Sequence, residues 1–393
     1  MKKFIADHLF SVTGPPVPNG VVIVDDDGRI NAIGDEQSPE ANLFRDVETI
    51  KVDGAIVPGF VNAHCHLELS HLFEKLPQGT GLIDFIKNIQ RNRQAEPDEI
   101  LAAARAADRY MHEEGIVAVA DIANSPLSAE VKRESPIRYH TFVEVFSFVP
   151  EMAGPVFDRA LEIRNAFAGM PVSITAHSPY SVSKELFKLI RRYSEKNHNP
   201  ISIHNQESDE ENRFFRYRTG RIPELYAHFG TDISYFKAQA RNSLQTIMPL
   251  LPVQQPILLV HNTYTTLKDI YFAKRYGRQI TWCFCPGANL YIEQRLPRID
   301  HFLNHGFDIT LGTDSLASNT SLSMLAEMKR VAAHFPEIPF HQVLSWATLN
   351  GARFLGLDTE LGSIEPGKIP GLNLITHMNG TALTAESTVR RLI

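Results

Sequence analysis

Seven residues stand out for what their side chains could do together. His64 and His66 flank Cys65. In an extended backbone residues i and i+2 project to the same side, so these two imidazoles point one way. His204 and Glu207 share the segment His204-Asn205-Gln206-Glu207, His261 lies in Val260-His261-Asn262, and Asp314 in Gly312-Thr313-Asp314-Ser315. His177 opens His177-Ser178-Pro179-Tyr180. Imidazoles and carboxylates are donors a divalent cation takes, and they are also the groups that move protons in a hydrolysis. Each feature alone is weak: a lone histidine at a strand end is more often a hydrogen-bonded structural group.

The elements that must carry these residues give the pattern its weight. Apolar runs at Ile56–Ala63, Ile116–Ile122, Ile137–Phe146, Val172–Ala176, Pro200–Ile203, Ile257–Val260, Gln279–Phe284 and Asp308–Gly312 read as eight strands. They are apolar throughout and do not alternate, as expected of parallel strands covered on both faces. Helical patterns lie between most of them, among them Asp98–Glu114, Ser183–Lys196 and Leu267–Tyr276, with Leu322–His334 and Val343–Leu355 after the last strand. The alternation predicts an α/β fold, a (β/α)₈ TIM barrel over residues 58–356. In such a barrel the C-terminal strand ends meet on one face, where active sites lie. The seven candidates all sit at or just beyond those ends. Imidazoles and carboxylates gathered in one pocket are costly without a metal or a catalytic purpose.

Both chain ends read differently. Val21–Val24, the turn Asp25-Asp26-Asp27-Gly28 and Arg29–Ile33 form a hairpin signal, and Leu372–Ile375 is a short strand after a turn-rich connector. Residues 1–57 and 357–393 are therefore expected to make a small composite β-sandwich domain outside the barrel. The segment Gly220–Ala240, aromatic and charged, is the longest insertion and reads as a lid or an ordered surface loop.

The run Pro58-Gly59-Phe60-Val61-Asn62-Ala63-His64-Cys65-His66, followed by His204-x-x-Glu207, His261 and Gly312-Thr313-Asp314-Ser315, resembles the amidohydrolase superfamily, in its branch of nucleobase and nucleoside deaminases and chlorohydrolases. The resemblance implies a metal held by His64, His66, His204 and Asp314, with Glu207 shuttling a proton to the substrate ring and His261 assisting water activation. Asp314 then has a second, catalytic role as proton acceptor. Binuclear members usually carry a carboxylated lysine or another bridging acid at the end of strand four. Here that strand ends at His177, which implies one metal, Zn²⁺ with Fe²⁺ as the alternative. His177 is read as a substrate contact, and Glu68 as a candidate for binding polar groups of the substrate. Cys283 and Cys285 are read as small apolar filler, not ligands.

The segments His66-Leu67-Glu68-Leu69-Ser70 and His177-Ser178-Pro179-Tyr180 are most similar to aminodeoxyfutalosine-deaminase-like proteins. The implied reaction is metal-dependent hydrolytic deamination of an aminopurine base or nucleoside, with release of ammonia. Two alternatives are a chlorohydrolase or cyclic amidohydrolase acting on a heterocycle, and a catalytically inactive barrel scaffold. The scaffold reading expects lost ligands, yet all are present.

The remaining properties narrow the setting. The 393 residues carry 39 basic and 45 acidic groups, a net charge of −6 with no basic run, which gives no footprint for nucleic acid. No stretch has the roughly 18 apolar residues of a membrane span, and Asp7 and His8 interrupt the apolar N-terminus where a signal peptide would be continuous. The 3 cysteines are too few for a disulfide framework. These features point to a cytoplasmic enzyme with a small heterocyclic substrate, and a homodimer is compatible with its size. The 16 histidines are in excess, and five of them fall in the implied pocket.

Overall fold

The computed structural model describes residues 1–39, 44 and 46–393. Five residues of the N-terminal segment, 40–43 and 45, lie outside the described residues. Strands β1 (Lys2–Leu9), β2 (Val17–Val24), β3 (Ile30–Asp35) and β4 (Thr49–Pro58) join β13 (Leu372–Thr376) and β14 (Thr388–Arg391) in one six-stranded sheet. Its order is β14-β13-β4-β1-β2-β3. Both chain ends thus enter the same sheet, with β13 antiparallel to β4. The β2–β3 hairpin turns at Gly28, whose positive φ of 85° suits a residue without Cβ.

Two parallel four-stranded sheets carry the middle of the chain. One is β5 (Phe60–Cys65), β6 (Ile116–Ala123), β7 (Arg138–Val145) and β8 (Val172–Ala176). The other, in the order β12-β11-β10-β9, contains β9 (Ile201–Asn205), β10 (Ile257–His261), β11 (Ile280–Phe284) and β12 (Asp308–Leu311). Every residue of β5, β6, β9, β10 and β11 is buried, as strands covered on both faces must be. The two sheets meet at both edges. Cys65 bridges to Asp314 in parallel fashion, and the His204 N–H donates to the His177 carbonyl at 2.9 Å.

The structure corrects two expectations and adds detail to a third. The run Ile56–Ala63 is two strands, because β4 stops at Pro58 and β5 starts at Phe60. At Gly59 between them, an added Cβ would lie 2.4 Å from Val117 Cγ1 and 2.5 Å from the Pro370 carbonyl, so the chain can cross from one sheet to the next only without a side chain. The helix expected over Val343–Leu355 is also two, Phe340–Trp346 and Leu349–Leu355. It breaks where the Ala347 carbonyl accepts the Val61 N–H of β5 at 2.8 Å. Part of the insertion Gly220–Ala240 is regular, forming the helix Ile222–His228. Among the described residues no helix is long and apolar enough to cross a membrane.

One buried ion pair fixes the edge that carries the first two histidines. Lys132 Nζ lies 2.6 Å from Asp121 Oδ2, and neither side chain is exposed. Asp121 Oδ1 accepts the Leu67 N–H at 2.7 Å, one residue beyond His66. Lys132 also donates to Thr141 Oγ1 at 3.0 Å. Removing one partner of such a pair leaves an uncompensated buried charge. Lys132→Met is therefore expected to destabilise the protein by about 3–5 kcal/mol, while Lys132→Met with Asp121→Leu recovers much of the loss. Urea unfolding of the three proteins checks this, and a single variant as stable as the parent would refute it.

Candidate metal centre and active site

The site is built where β5 meets the turn after β12. Thr313 and Asp314 both donate their N–H to the His64 carbonyl at 3.0 Å. Asn62, two residues before His64, closes the same junction. Its Nδ2 donates to Thr313 Oγ1 at 2.7 Å and its Oδ1 accepts the Thr313 N–H at 3.1 Å. Gly312 permits the approach, since a Cβ there would stand 2.8 Å from His64 Cβ.

The consequence is a cluster of lone pairs. His66 Nε2 is 3.2 Å from His64 Nε2 and 3.3 Å from Asp314 Oδ1. His64 Nε2 is 3.7 Å from Asp314 Oδ1. With His204 these residues form a group whose donor atoms all lie within 4.8 Å of one another, each of them buried. The other oxygen of Asp314 accepts from Ser318 Oγ at 2.7 Å, which orients the carboxylate. His204 Nδ1 donates to the His177 carbonyl at 2.7 Å, so its Nε2 is left with a lone pair. A second partner that fixes a ring's tautomer in this way is the usual support of a metal-binding histidine.

Burial governs the charge state. It pulls His64 well below the usual imidazole value, helped by His66, His204, His261 and His177 around it. It also lowers His66, and it brings His204 down to about 4. Neutral imidazoles can offer lone pairs to a cation, and the facing atoms of His64, His66 and Asp314 lie 3.2, 3.3 and 3.7 Å apart, close enough for one cation to touch all three. The donor set therefore fits a divalent metal ion.

Two more candidates flank this cluster. His261 ends β10 with φ 73°, and Asn262 follows with φ 58°. Asn262 holds this uncommon backbone through donation from Nδ2 to the carbonyls of Leu259 at 2.7 Å and Cys283 at 3.1 Å. His261 Nε2 has no hydrogen-bond partner and faces Glu207 Oε1 at 3.6 Å. The amide of Asn289 lies 3.4 Å from His261 Nδ1. Burial, then the charges of Asp314, Glu293 and Glu211, pushes the Glu207 carboxyl well above the usual carboxylate range. The shift favours its protonated form, the form that can donate.

A cavity of about 520 Å³ opens over these groups, lined by His66, His204, Glu207, His261, Asp314 and His177 among others. That volume suits a small organic molecule. One wall is apolar, with Leu82, Phe85 and Ile86 from the helix Leu82–Asn92 facing Leu225, Tyr226 and Phe229 of the insertion. Arg221 joins the two sides, its guanidinium gripping both oxygens of Asp84 at 2.8 and 3.0 Å.

The remaining sequence candidates take distinct places. His177 lines the cavity, and its Nδ1 lies 2.8 Å from Ser181 Oγ and 3.0 Å from Ser178 Oγ. Burial brings it down to about 3. The carboxylate of Glu68 is not on the cavity wall. It is committed to the loop after β6, where it accepts the N–H of Asn124 at 3.0 Å and of Ser125 at 3.3 Å, and the Ser125 hydroxyl at 3.1 Å. Cys283 and Cys285 are buried in an apolar cluster with Ala63 and Val260. Sequence reasoning passed over Asn62, the Asp121–Lys132 pair and Glu144, a buried acid on the cavity wall near the end of β7. The strand-end rule that found the histidines applies to Glu144 as well.

Comparison with known proteins agrees with this geometry. The model of the amidohydrolase family matches residues 55–388. The chain is 25% identical over 362 residues to a 5-methylthioadenosine/S-adenosylhomocysteine deaminase of Teredinibacter turnerae, covering 84% of this chain and 74% of that protein. It is 27% identical over 365 residues to an aminodeoxyfutalosine deaminase of Deinococcus radiodurans, covering 87% and 82%. Its fold is shared with the solved structure of Helicobacter pylori aminofutalosine deaminase in complex with methylthio-coformycin, at a TM-score of 0.82 and 20% identity over 100% of both chains. With most of the chain matched by the family model, the protein belongs to the amidohydrolase family.

Proposed function

We propose that this protein is a metal-dependent aminohydrolase that deaminates an aminopurine nucleoside of the adenosine or aminodeoxyfutalosine type. The observation that carries the reading is the pairing of the His64–His66–His204–Asp314 cluster with the facing side chains of Glu207 and His261 at the base of one cavity. Relatives that span most of the chain are deaminases of adenine-bearing nucleosides.

In this reading one divalent cation, Zn²⁺, is held by His64, His66, His204 and Asp314 and supplies the Lewis acidity that makes a water acidic near neutral pH. His261 and Asp314 take the proton of the attacking water. Its oxygen bonds to the ring carbon that bears the amino group. Glu207 gives its proton to the adjacent ring nitrogen, so that negative charge does not build up there. The carbon–nitrogen bond to the amino group then breaks. The amino group takes the proton held by His261 and Asp314 and leaves as ammonia, while the proton of the added hydroxyl returns to Glu207 and its oxygen remains on the ring as the new carbonyl. His177 contacts the substrate from the cavity wall. Deamination is preferred to chloride displacement because relatives that span most of the chain are named as deaminases.

The same reading extends to architecture. The two parallel sheets form one closed eight-stranded barrel over residues 58–356, and residues 1–57 with 357–393 form a separate composite β unit. The hydrogen bonds at both sheet edges and the six-stranded sheet shared by the chain ends support it.

Two outcomes are expected. Glu207→Gln lowers kcat for ammonia release by about 10²–10⁴-fold with metal content unchanged, measured by a coupled ammonia assay. Chelation abolishes ammonia release and added Zn²⁺ restores it, while His64→Ala and Asp314→Ala no longer retain stoichiometric metal by elemental analysis. A parent that carries no metal, or that releases no ammonia from any aminopurine, would overturn the reading.

A further inference from the structure

Glu144 has no part in the mechanism above, yet its environment is unusual. Its side chain is 3% exposed and lies on the cavity wall beside His177 and His204. Asn124 Nδ2 donates to Glu144 Oε2 at 3.0 Å and to the Glu144 carbonyl at 3.1 Å. Both hydrogens of that amide are therefore committed to one residue, which fixes the carboxylate in place. The other oxygen, Oε1, has no hydrogen-bond partner. His204 Nδ1 lies 3.5 Å from Oε1, and that N–H is already given to the His177 carbonyl. A buried carboxylate oxygen without a donor is costly. A ligand that brings donors removes the cost.

A second cation is the first alternative, since Glu144, His177 and His204 could also group around a metal. The ring nitrogens argue against it. His204 presents a protonated nitrogen on that side, and His177 Nδ1 is engaged by two serine hydroxyls. What the site lacks is a hydrogen-bond donor. A nucleoside whose base lies over Glu207 and His261 has a sugar left to place, and its hydroxyls are donors.

We propose that Glu144, held by Asn124, accepts hydrogen bonds from the vicinal hydroxyls of the substrate's sugar and so selects ribonucleosides over deoxynucleosides. This rests on the aminopurine-nucleoside reading above. A site built to bond a hydroxyl rejects analogues that lack it, because its buried acceptor is then left unpaired.

The test compares the metal-loaded parent, Glu144→Ala and Glu144→Gln. The substrates are adenosine, 2′-deoxyadenosine and 3′-deoxyadenosine, with kcat/KM read from ammonia release. Binding of inosine and its two deoxy analogues is measured by calorimetry alongside. The parent is expected to prefer the ribonucleosides by at least about 10²-fold. Glu144→Ala loses about 10²-fold on adenosine, mainly through KM, and treats the three substrates alike within about threefold. Glu144→Gln falls between, and its melting temperature and metal content match the parent's. Discrimination that persists in both variants overturns the inference. So does loss of metal with discrimination unchanged, which makes Glu144 a support for His204, or a second equivalent of metal that disappears in Glu144→Ala. Turnover without sugar discrimination in the parent overturns this inference alone. No turnover of any aminopurine nucleoside overturns the deaminase reading as well.

Discussion

The contact on which the rest depends is the approach of β5 to the turn after β12. Two backbone N–H groups, from Thr313 and Asp314, converge on one carbonyl, that of His64. Asn62 adds two more hydrogen bonds across the same junction, and Gly312 leaves room for it. The junction joins residues some 250 positions apart in the chain. It also decides which atoms share a space: His64 and His66 from one sheet, Asp314 from the other. The buried Asp121–Lys132 pair serves the same end from the opposite direction, since Asp121 holds the backbone directly after His66.

Desolvation then sets the chemistry. The imidazoles of His64, His66 and His204 are driven neutral, which is the form that ligates a cation. The same burial raises the Glu207 carboxyl and so favours its protonated form. One physical cause thus prepares both a lone-pair cluster and an acid. The backbone cooperates at the strand exits. His261, Asn262 and Asp314 all hold positive φ, and side-chain hydrogen bonds from Asn262 and Ser318 secure two of these turns. Strain of this kind persists only where the surroundings over-determine it, and it clusters at working sites.

Much of this was legible in the sequence. The strands β6 to β12 fall within one or two residues of the apolar runs that announced them, because uninterrupted apolar runs of that length are what buried parallel strands require. The expectation that His64, His66, His204 and Asp314 would meet rested on strand-end position and family resemblance, and those four side chains do share one cluster. Other features were not legible. The run Ile56–Ala63 reads as one strand because apolar character continues across Gly59, although the division at 57/58 already falls next to the passage from β4 to β5. The helix Val343–Leu355 keeps its periodicity through the break, which is imposed by Val61, a residue nearly 300 positions away. Glu68 sits beside the ligands in sequence, yet its carboxylate turns to the loop after β6.

By itself the sequence determined which residue types stand at which strand ends, since hydrophobic patterning and motif order are local properties. Tertiary structure alone decided which atoms face the cavity and in what state of protonation. Those depend on burial and on partners distant in the chain. Glu144 shows the difference most plainly: as a letter in β7 it is an acid in an apolar strand, and only the fold gives it one satisfied and one unsatisfied oxygen.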